Sequence, residues 1–125
     1  MQVSLFQKKF LIIILFLPLF LFAQNIPQKN VSYVLKKATN YENIILIGKF
    51  IQQIDDDEYI FNDGTGSVKA ELDMEDIRLK YPNTPFPTLN SKIKIQAVVD
   101  KEMFERTEIK IIRLKVLEQA KQDDF

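Results

Sequence analysis

The sequence contains no cysteine, no histidine and no tryptophan. Without cysteine, the chain has neither disulfides nor a thiolate nucleophile. Without histidine, it lacks the commonest general base, and the two absences together remove the usual zinc and copper ligands. Chemistry is left to carboxylates, lysines, hydroxyls and tyrosines. We therefore expect a protein that is not an enzyme and that carries no cofactor and no metal.

The first 23 residues have the order of a secretory signal peptide. Two lysines precede an uncharged run over residues 10–22, and Ala23 then offers a small residue before a polar one. The run is shorter than the roughly 20 apolar residues of a membrane span. Pro18 also opposes a spanning helix, because it lacks the backbone donor. We predict a signal peptide over residues 1–23, with an uncleaved anchor as the alternative, and no stable membrane insertion after cleavage.

Charge is nearly balanced over the whole chain. There are 17 basic and 17 acidic side chains. Removal of Lys8 and Lys9 with the signal peptide would leave a slight acidic excess. Nucleic-acid binding normally shows as a basic excess on one face. The composition therefore predicts no basic face and no nucleic-acid partner.

Alternation of apolar and polar residues predicts five strands in the remaining chain. Their expected bounds are 43–54, 58–62, 67–73, 91–100 and 107–117. The last strand changes phase between Ile111 and Leu114, which predicts a β-bulge near Ile112 and Arg113. Gly48, within the first strand, fits a bulge or a bend, or is merely tolerated there.

Two short helices are also predicted. Apolar residues at spacings of three and four favour a helix over residues 31–39 that starts near Ser32. A second helix is expected over residues 74–81, with Asp73 as its N-cap.

The order helix, three strands, helix, two strands is the layout of the OB barrel, whose closure removes exposed sheet edges. We predict a mainly β fold, a five-stranded OB-fold barrel with a short helix between strands 3 and 4 and a short N-terminal helix. This domain spans residues 31–117. Residues 24–30 form a polar leader before it, and residues 118–125 form a flexible polar tail.

An acidic cluster stands at the turn between the first two predicted strands. Its carboxylates could hold a hard cation such as calcium, or attract a polyamine through their local field. A solvated turn is the alternative, because aspartate favours turns and the spacing differs from that of the calcium loop. With neighbouring strand residues, the candidate ligand-binding site comprises Asp55, Asp56, Asp57, Glu58, Tyr59, Lys69, Glu71 and Asp73.

Four aromatic residues could form a stacking platform for nucleic-acid bases, as in some OB folds. They are Phe50, Tyr59, Phe61 and Tyr81. Such a platform also needs positive charge along the backbone path, which the composition does not offer. Core packing is the better explanation for most of these rings.

Two further patterns have simple structural explanations. The Gly-x-Gly in Asp63-Gly64-Thr65-Gly66 links two strands, whereas a phosphate cradle needs a helix N-terminus. We interpret this segment as a hairpin turn. Asp73 and Asp100 could act as a pair of carboxylates for glycoside hydrolysis, but nothing singles them out.

The residues also resemble a known family. The stretch from Gly48 to Asp73, with Asp55-Asp56-Asp57-Glu58-Tyr59-Ile60-Phe61-Asn62-Asp63-Gly64-Thr65-Gly66 at its centre, resembles the bacterial OB-fold (BOF) family of YgiW/YdeI-type stress-tolerance proteins. Val99-Asp100-Lys101, followed by Glu108-Ile109-Lys110-Ile111, is similar to that family's last hairpin. Two departures are the missing tryptophan before the first strand, where Tyr41 stands, and a long proline-rich connector over residues 80–90.

The resemblance implies a small, exported, periplasmic protein without a known catalytic centre. It also implies a role in tolerance of peroxide, metal and acid stress, through binding of a small ligand, cationic ones included, or of an envelope or cell-wall component. A protein-interaction module is the first alternative, which exposure of Phe86 and Leu89 in the connector would favour. A single-stranded nucleic-acid-binding OB domain is the second alternative, which export and charge oppose.

Overall fold

Five strands and two short helices make up the part of the chain that the computed structural model describes, residues 25–102 and 106–121. They are α1 (Val31–Lys36), β1 (Asn43–Asp55), β2 (Glu58–Asn62), β3 (Ser67–Glu71), α2 (Met74–Lys80), β4 (Lys92–Asp100) and β5 (Glu108–Glu118). All seven predicted elements are present, with ends that differ by a few residues at most. The predicted signal peptide lies outside the described residues. Neither helix of the described ranges is long and apolar enough to cross a membrane.

The strands close into a barrel in the order β1-β2-β3-β5-β4. All neighbouring pairs are antiparallel except β3 and β5, which run parallel. The predicted mainly β, five-stranded OB fold is therefore confirmed. Closure pairs both edges of every strand over at least part of its length, which removes the edges that a small sheet would expose.

Alternating residues of the strands fill the barrel. The largest fully buried side chains are Phe50, Phe61, Ile44, Leu46, Ile93, Ile95, Ile109, Val31, Val34 and Val99. Removing each such side chain from water contributes about 1.5–3 kcal/mol. Charged residues of the same strands, such as Lys49, Lys94 and Lys110, are exposed on the outer face.

The predicted bulge in β5 is confirmed. Gln96 of β4 lies opposite Arg113, whereas the next residue, Ala97, lies opposite Ile111, so Ile112 is the extra residue. Because of the extra residue, the alternation changes phase at the bulge, and side chains on both sides of it face the core. Ile111 and Leu114 are accordingly both buried.

β1 contains two further irregularities that the sequence pattern did not predict. Its register against β2 shifts between Phe50 and Gln52 and again between Gln53 and Asp55. The shifts leave Ile51 and Ile54 nearly half exposed. Bulges increase the local twist of a strand, and here they precede the turn that carries the acidic cluster.

Gly48 is not the site of a bulge. Its register against β4 is continuous with the residues before it. A Cβ atom at this position would lie 2.5 Å from the Asn62 carbonyl oxygen and 2.7 Å from Cζ of Phe61. Glycine is required here because the backbones of β1 and β2 approach closely.

The polar leader pairs with the first half of β1. Ile45 donates its N–H to the Pro27 carbonyl oxygen (3.0 Å) and accepts from the Lys29 N–H (2.9 Å), in a parallel bridge between Gln28 and Ile45. Asn30 then caps α1 by accepting from the Tyr33 N–H at 2.8 Å. α1 ends earlier than predicted, at Lys36.

The end of β5 is tied to the loop before β4. β5 continues one residue beyond its predicted end, to Glu118. The Ala120 N–H donates to Oγ of Ser91 at 3.0 Å, and Oε1 of Gln119 accepts from the hydroxyls of Ser91 and Thr88, each at 3.1 Å. The first residues of the expected polar tail thus contact the barrel, while residues 122–125 lie outside the described residues.

Candidate functional site

An open hollow of about 350 Å³ lies beside the turn between β1 and β2. We call it the acidic hollow. Its lining residues are Asp55, Asp56, Asp57, Tyr59, Leu72, Asp73, Met74 and Phe86. Five of the eight sequence-predicted site residues meet here, on a partly apolar floor.

The local backbone explains how the carboxylates come together. Asp55 ends β1, and its Oδ1 accepts from the Asp56 N–H at 2.8 Å. The Asp57 carbonyl oxygen accepts from the Leu72 N–H at 2.7 Å, which holds the turn against the end of β3. Asp73 is the N-cap of α2, as predicted, and accepts from the Asp76 N–H at 3.2 Å. The described residues contain no group of three or more acidic side chains placed to hold a metal ion.

Tyr59 forms the side of the acidic hollow nearest the core. Its ring centroid lies 4.7 Å from that of Phe50. Partial burial raises the pKa of Tyr59, and the negative charge of Asp56 raises it further. Both effects favour the neutral phenol, so the hydroxyl remains a hydrogen-bond donor beside the carboxylates.

The other three predicted site residues lie on the outer face of the barrel. Lys69 Nζ lies 3.3 Å from Glu58 Oε1 and 3.4 Å from Glu108 Oε1. The hydrogen bond to Glu58 and the charge of Glu108 raise the pKa of Lys69. Glu71 lies opposite Glu58 on β3 and beside Lys110 of β5. Lys69, Glu58 and Glu108 form a surface ion-pair network, and none of the three predicted residues lines the acidic hollow.

The aromatic residues do not assemble into one platform. Phe50 and Phe61 are buried in the core, with ring centroids 6.0 Å apart in an edge-to-face arrangement. Tyr81 lies elsewhere, with the Arg113 guanidinium 4.7 Å from its ring centroid. Core packing is therefore confirmed as the role of the two phenylalanines.

Side chains of the turn between β2 and β3 accept hydrogen bonds from the first residues of α1. Asp63 accepts from the Val31 N–H at 2.8 Å and from the Thr65 N–H at 2.9 Å, and Oγ1 of Thr65 accepts from the Ser32 N–H at 3.1 Å. The hairpin thus satisfies helix donors that would otherwise lack partners. Its predicted role as a turn is confirmed.

The two carboxylates considered for hydrolysis belong to different surroundings. Asp73 caps α2 in the acidic hollow. Asp100 ends β4 opposite Glu108 and does not line that hollow.

A second and larger depression was not predicted from the sequence. We call it the basic groove; its volume is about 720 Å³. Its lining residues are Ile45, Lys80, Tyr81, Pro82, Asn83, Thr84, Pro85, Lys94, Ile95, Gln96, Arg113, Leu114, Lys115 and Val116. Four are cationic and none is acidic. The expectation of no basic face was wrong, because near-neutral total charge says nothing about how strand register distributes the charges.

A fixed turn after α2 forms one wall of the basic groove. Thr84 donates its N–H and its hydroxyl to the Tyr81 carbonyl oxygen, at 3.1 and 2.8 Å. Nε of Arg78 donates to the Thr84 carbonyl oxygen at 3.0 Å. The opposite wall is the outer face of β4 and β5. The sequence signal was the presence of cations at Lys94, Arg113 and Lys115, which become neighbours only once the strands pair.

Comparisons with known proteins agree on the fold. The model of one protein family, described as a bacterial OB fold (BOF) protein, matches residues 22–116. An uncharacterized protein of Haemophilus influenzae is 37% identical over 89 residues, which cover 71% of this chain and 69% of that protein.

Solved structures are similar at lower identity. The hypothetical protein ygiW from E. coli is 22% identical, with a TM-score of 0.62 over 74% of this chain and 97% of that one. An OBody bound to hen egg-white lysozyme is 12% identical, with a TM-score of 0.54 over 74% of this chain and 96% of that one. The family match extends over most of the chain and includes the five strands up to Val116. The chain therefore belongs to the bacterial OB-fold (BOF) family.

Proposed function

We propose that this protein is exported to the periplasm, where it binds a small cationic ligand without catalysis and contributes to tolerance of envelope stress. The observation that carries the proposal is the acidic hollow. It combines three consecutive aspartates with a neutral tyrosine and an apolar floor. A polyamine fits this chemistry, because its ammonium groups can face carboxylates while its methylene segments contact Leu72, Met74 and Phe86.

Electrostatics supports a cation at this position. Asp55, Asp56 and Asp57 are all exposed, and no described cation lies within 4.0 Å of their carboxylates. Like charges on adjacent residues repel each other, and a bound cation would relieve that repulsion.

A thermal-shift screen of protein purified after expression of the full chain tests the proposal. Probes are spermine, putrescine, calcium, magnesium and soluble cell-wall fragments. A ligand at about 100 times its dissociation constant adds about 2.7 kcal/mol to the free energy of unfolding. We expect spermine to raise the melting temperature.

A matched pair of variants locates the ligand. The triple change Asp55→Asn, Asp56→Asn and Asp57→Asn should abolish the shift while leaving the melting temperature of the free protein nearly unchanged. The control is Glu71→Gln, Glu75→Gln and Glu118→Gln, three exposed carboxylates outside the acidic hollow. If both variants lost the spermine-induced rise in melting temperature equally, the rise would come from general charge screening, and the acidic hollow would not be the binding site.

Export has a separate test. Cell fractionation followed by mass determination should find the protein in the periplasm, shortened to begin at about Gln24. A full-length protein in the membrane fraction would instead support the uncleaved anchor.

A protein-interaction module is the second candidate. Phe86 is 60% exposed and Leu89 is 43% exposed on the connector. The Arg78 guanidinium lies 4.1 Å from the Phe86 ring centroid and holds the ring at the surface. The OBody bound to lysozyme is a structural neighbour that binds a protein. A single-stranded nucleic-acid binder is the remaining alternative, and the basic groove is the feature that favours it.

A further inference from the structure

On the outer face of β4 and β5, cationic side chains occupy neighbouring positions of the two paired strands. Lys94 lies directly opposite Lys115, and Gln96 lies directly opposite Arg113. Side chains directly opposite on antiparallel strands have Cβ atoms about 4.5–5.5 Å apart, and like charges in such pairs are destabilising. Both lysines are exposed. Their Cβ atoms nevertheless stay close together, because the barrel fixes the strand register.

Neither lysine forms a salt bridge with a described carboxylate. Neither Lys94 nor Lys115 has a described carboxylate oxygen within 4.0 Å of its Nζ atom, and no carboxylate lines the basic groove. Lys80 adds a fourth positive charge from the last turn of α2. The favourable interaction of a cation with a helix C-terminus explains Lys80, but it does not explain two lysines fixed opposite each other on strands.

The side chains of the groove can donate hydrogen bonds to an anion as well as attract it by charge. Arg113 is held at the Tyr81 ring, which limits the orientations of its guanidinium. A guanidinium can bind a phosphate through two parallel N–H bonds, whereas a lysine acts as a point charge. The amide side chains of Asn83 and Gln96 line the same groove and can donate to further oxygens.

We propose that the basic groove is a binding site for a ligand that carries two or more closely spaced phosphate groups. Arg113 would bind one phosphate, while Lys94 and Lys115 share a second one between them. The groove volume lies within the range of small-molecule sites, about 300–1,000 Å³. This site is distinct from the acidic hollow and does not depend on the function proposed for it.

Isothermal titration of the protein with tripolyphosphate at low ionic strength tests the site. The probe carries the proposed chemistry and no other recognition group. We expect the double change Lys94→Gln and Lys115→Gln to weaken binding at least tenfold. The control, Lys49→Gln and Lys110→Gln, removes the same charge from two exposed lysines that do not line the groove, and its affinity should stay within about twofold.

Two further arms identify the source of the phosphates. A soluble sugar diphosphate that competes with tripolyphosphate would assign a free metabolite, whereas co-sedimentation with cardiolipin vesicles, whose headgroup carries two phosphates, that requires Lys94 and Lys115 would assign a lipid headgroup; either supports the shared chemistry. Equal weakening in the control variant would overturn the proposal. An eight-base single-stranded oligonucleotide that binds much more tightly than tripolyphosphate, and depends on the same lysines, would overturn it in favour of nucleic acid.

Discussion

The acidic hollow and the basic groove lie at opposite ends of α2 and are built in different ways. Asp73 and Met74, at the start of the helix, line the hollow, while Lys80, at its end, lines the groove. The carboxylates of the hollow stand on a turn, where they can rotate away from one another. The cations Lys94 and Lys115 stand on paired strands, which fix the spacing of their Cβ atoms. Strand pairing therefore fixes the Cβ spacing of like charges in the groove, and that difference makes the groove the stronger indication of a bound counter-ion.

The helix accounts for part of this arrangement. Acidic groups near a helix N-terminus and basic groups near its C-terminus interact favourably with the helix dipole. This explains the sign of the charge at Asp73 and at Lys80. It does not explain the register of Lys94 and Lys115, which comes from the pairing of β4 with β5.

A substitution in β1, the strand that leads to the acidic turn, should give the largest effect. Gly48→Ala places a Cβ atom against the Asn62 carbonyl oxygen, which is backbone and cannot move aside. We expect the free energy of unfolding to fall by about 1–3 kcal/mol, measured by urea denaturation. Gly66→Ala is the control, because its nearest contact is a side-chain methyl of Val31 at 3.3 Å. Equal stability of the two variants would contradict the close approach of β1 and β2.

Charge reversal in the groove should give a smaller effect of the opposite sign. Lys115→Glu replaces a repulsive cross-strand pair by an attractive one, so we expect the free energy of unfolding to rise by about 0.2–1 kcal/mol at low ionic strength. The gain should shrink at about 1 M salt, where the Debye length is about 3 Å. Lys110→Glu is the control, because Lys110 lies beside Glu71 and its reversal should not stabilise. A gain of the same size in both variants would remove the contrast between the groove and the rest of the surface.

Titration of Tyr59 should give the smallest effect. Because the folded pKa of Tyr59 lies above its unfolded value of about 10, the neutral ring stabilises the fold fully below that value. This contribution is lost as pH rises through the folded pKa. Asp56→Asn should lower the pKa of Tyr59, seen as phenolate absorbance that is missing from a Tyr59→Phe reference. An unchanged pKa would show that the charge of Asp56 does not act on Tyr59.

Local pattern predicted much of the fold because strand alternation reports which side chains face a core. The change of phase after Ile111 was enough to locate the bulge at Ile112. The pairing of the leader with Ile45 was not predictable, because it is a backbone interaction that leaves no side-chain pattern. The close approach at Gly48 was likewise hidden, since it depends on where β2 passes.

The residues of the two sites also differ in whether the sequence could predict them. Asp55 to Asp57 could be singled out because they are adjacent in sequence. The separation of Glu58, Lys69 and Glu71 from the hollow follows from strand alternation, which places them on the outer face. The basic groove was missed because it joins residues from α2, β4 and β5 whose charges are cancelled in the total by acidic residues elsewhere.

Backbone amide chemical shifts in two titrations, one with spermine and one with tripolyphosphate, test the two-site account most directly. The account predicts that spermine perturbs the amides of residues 55–59 and 73, and that tripolyphosphate perturbs those of residues 80, 81, 83, 84, 94–96 and 113–115. Each set should remain unchanged in the titration with the other probe. Perturbation of one common surface by both probes, or of neither region by its own probe, would contradict the account.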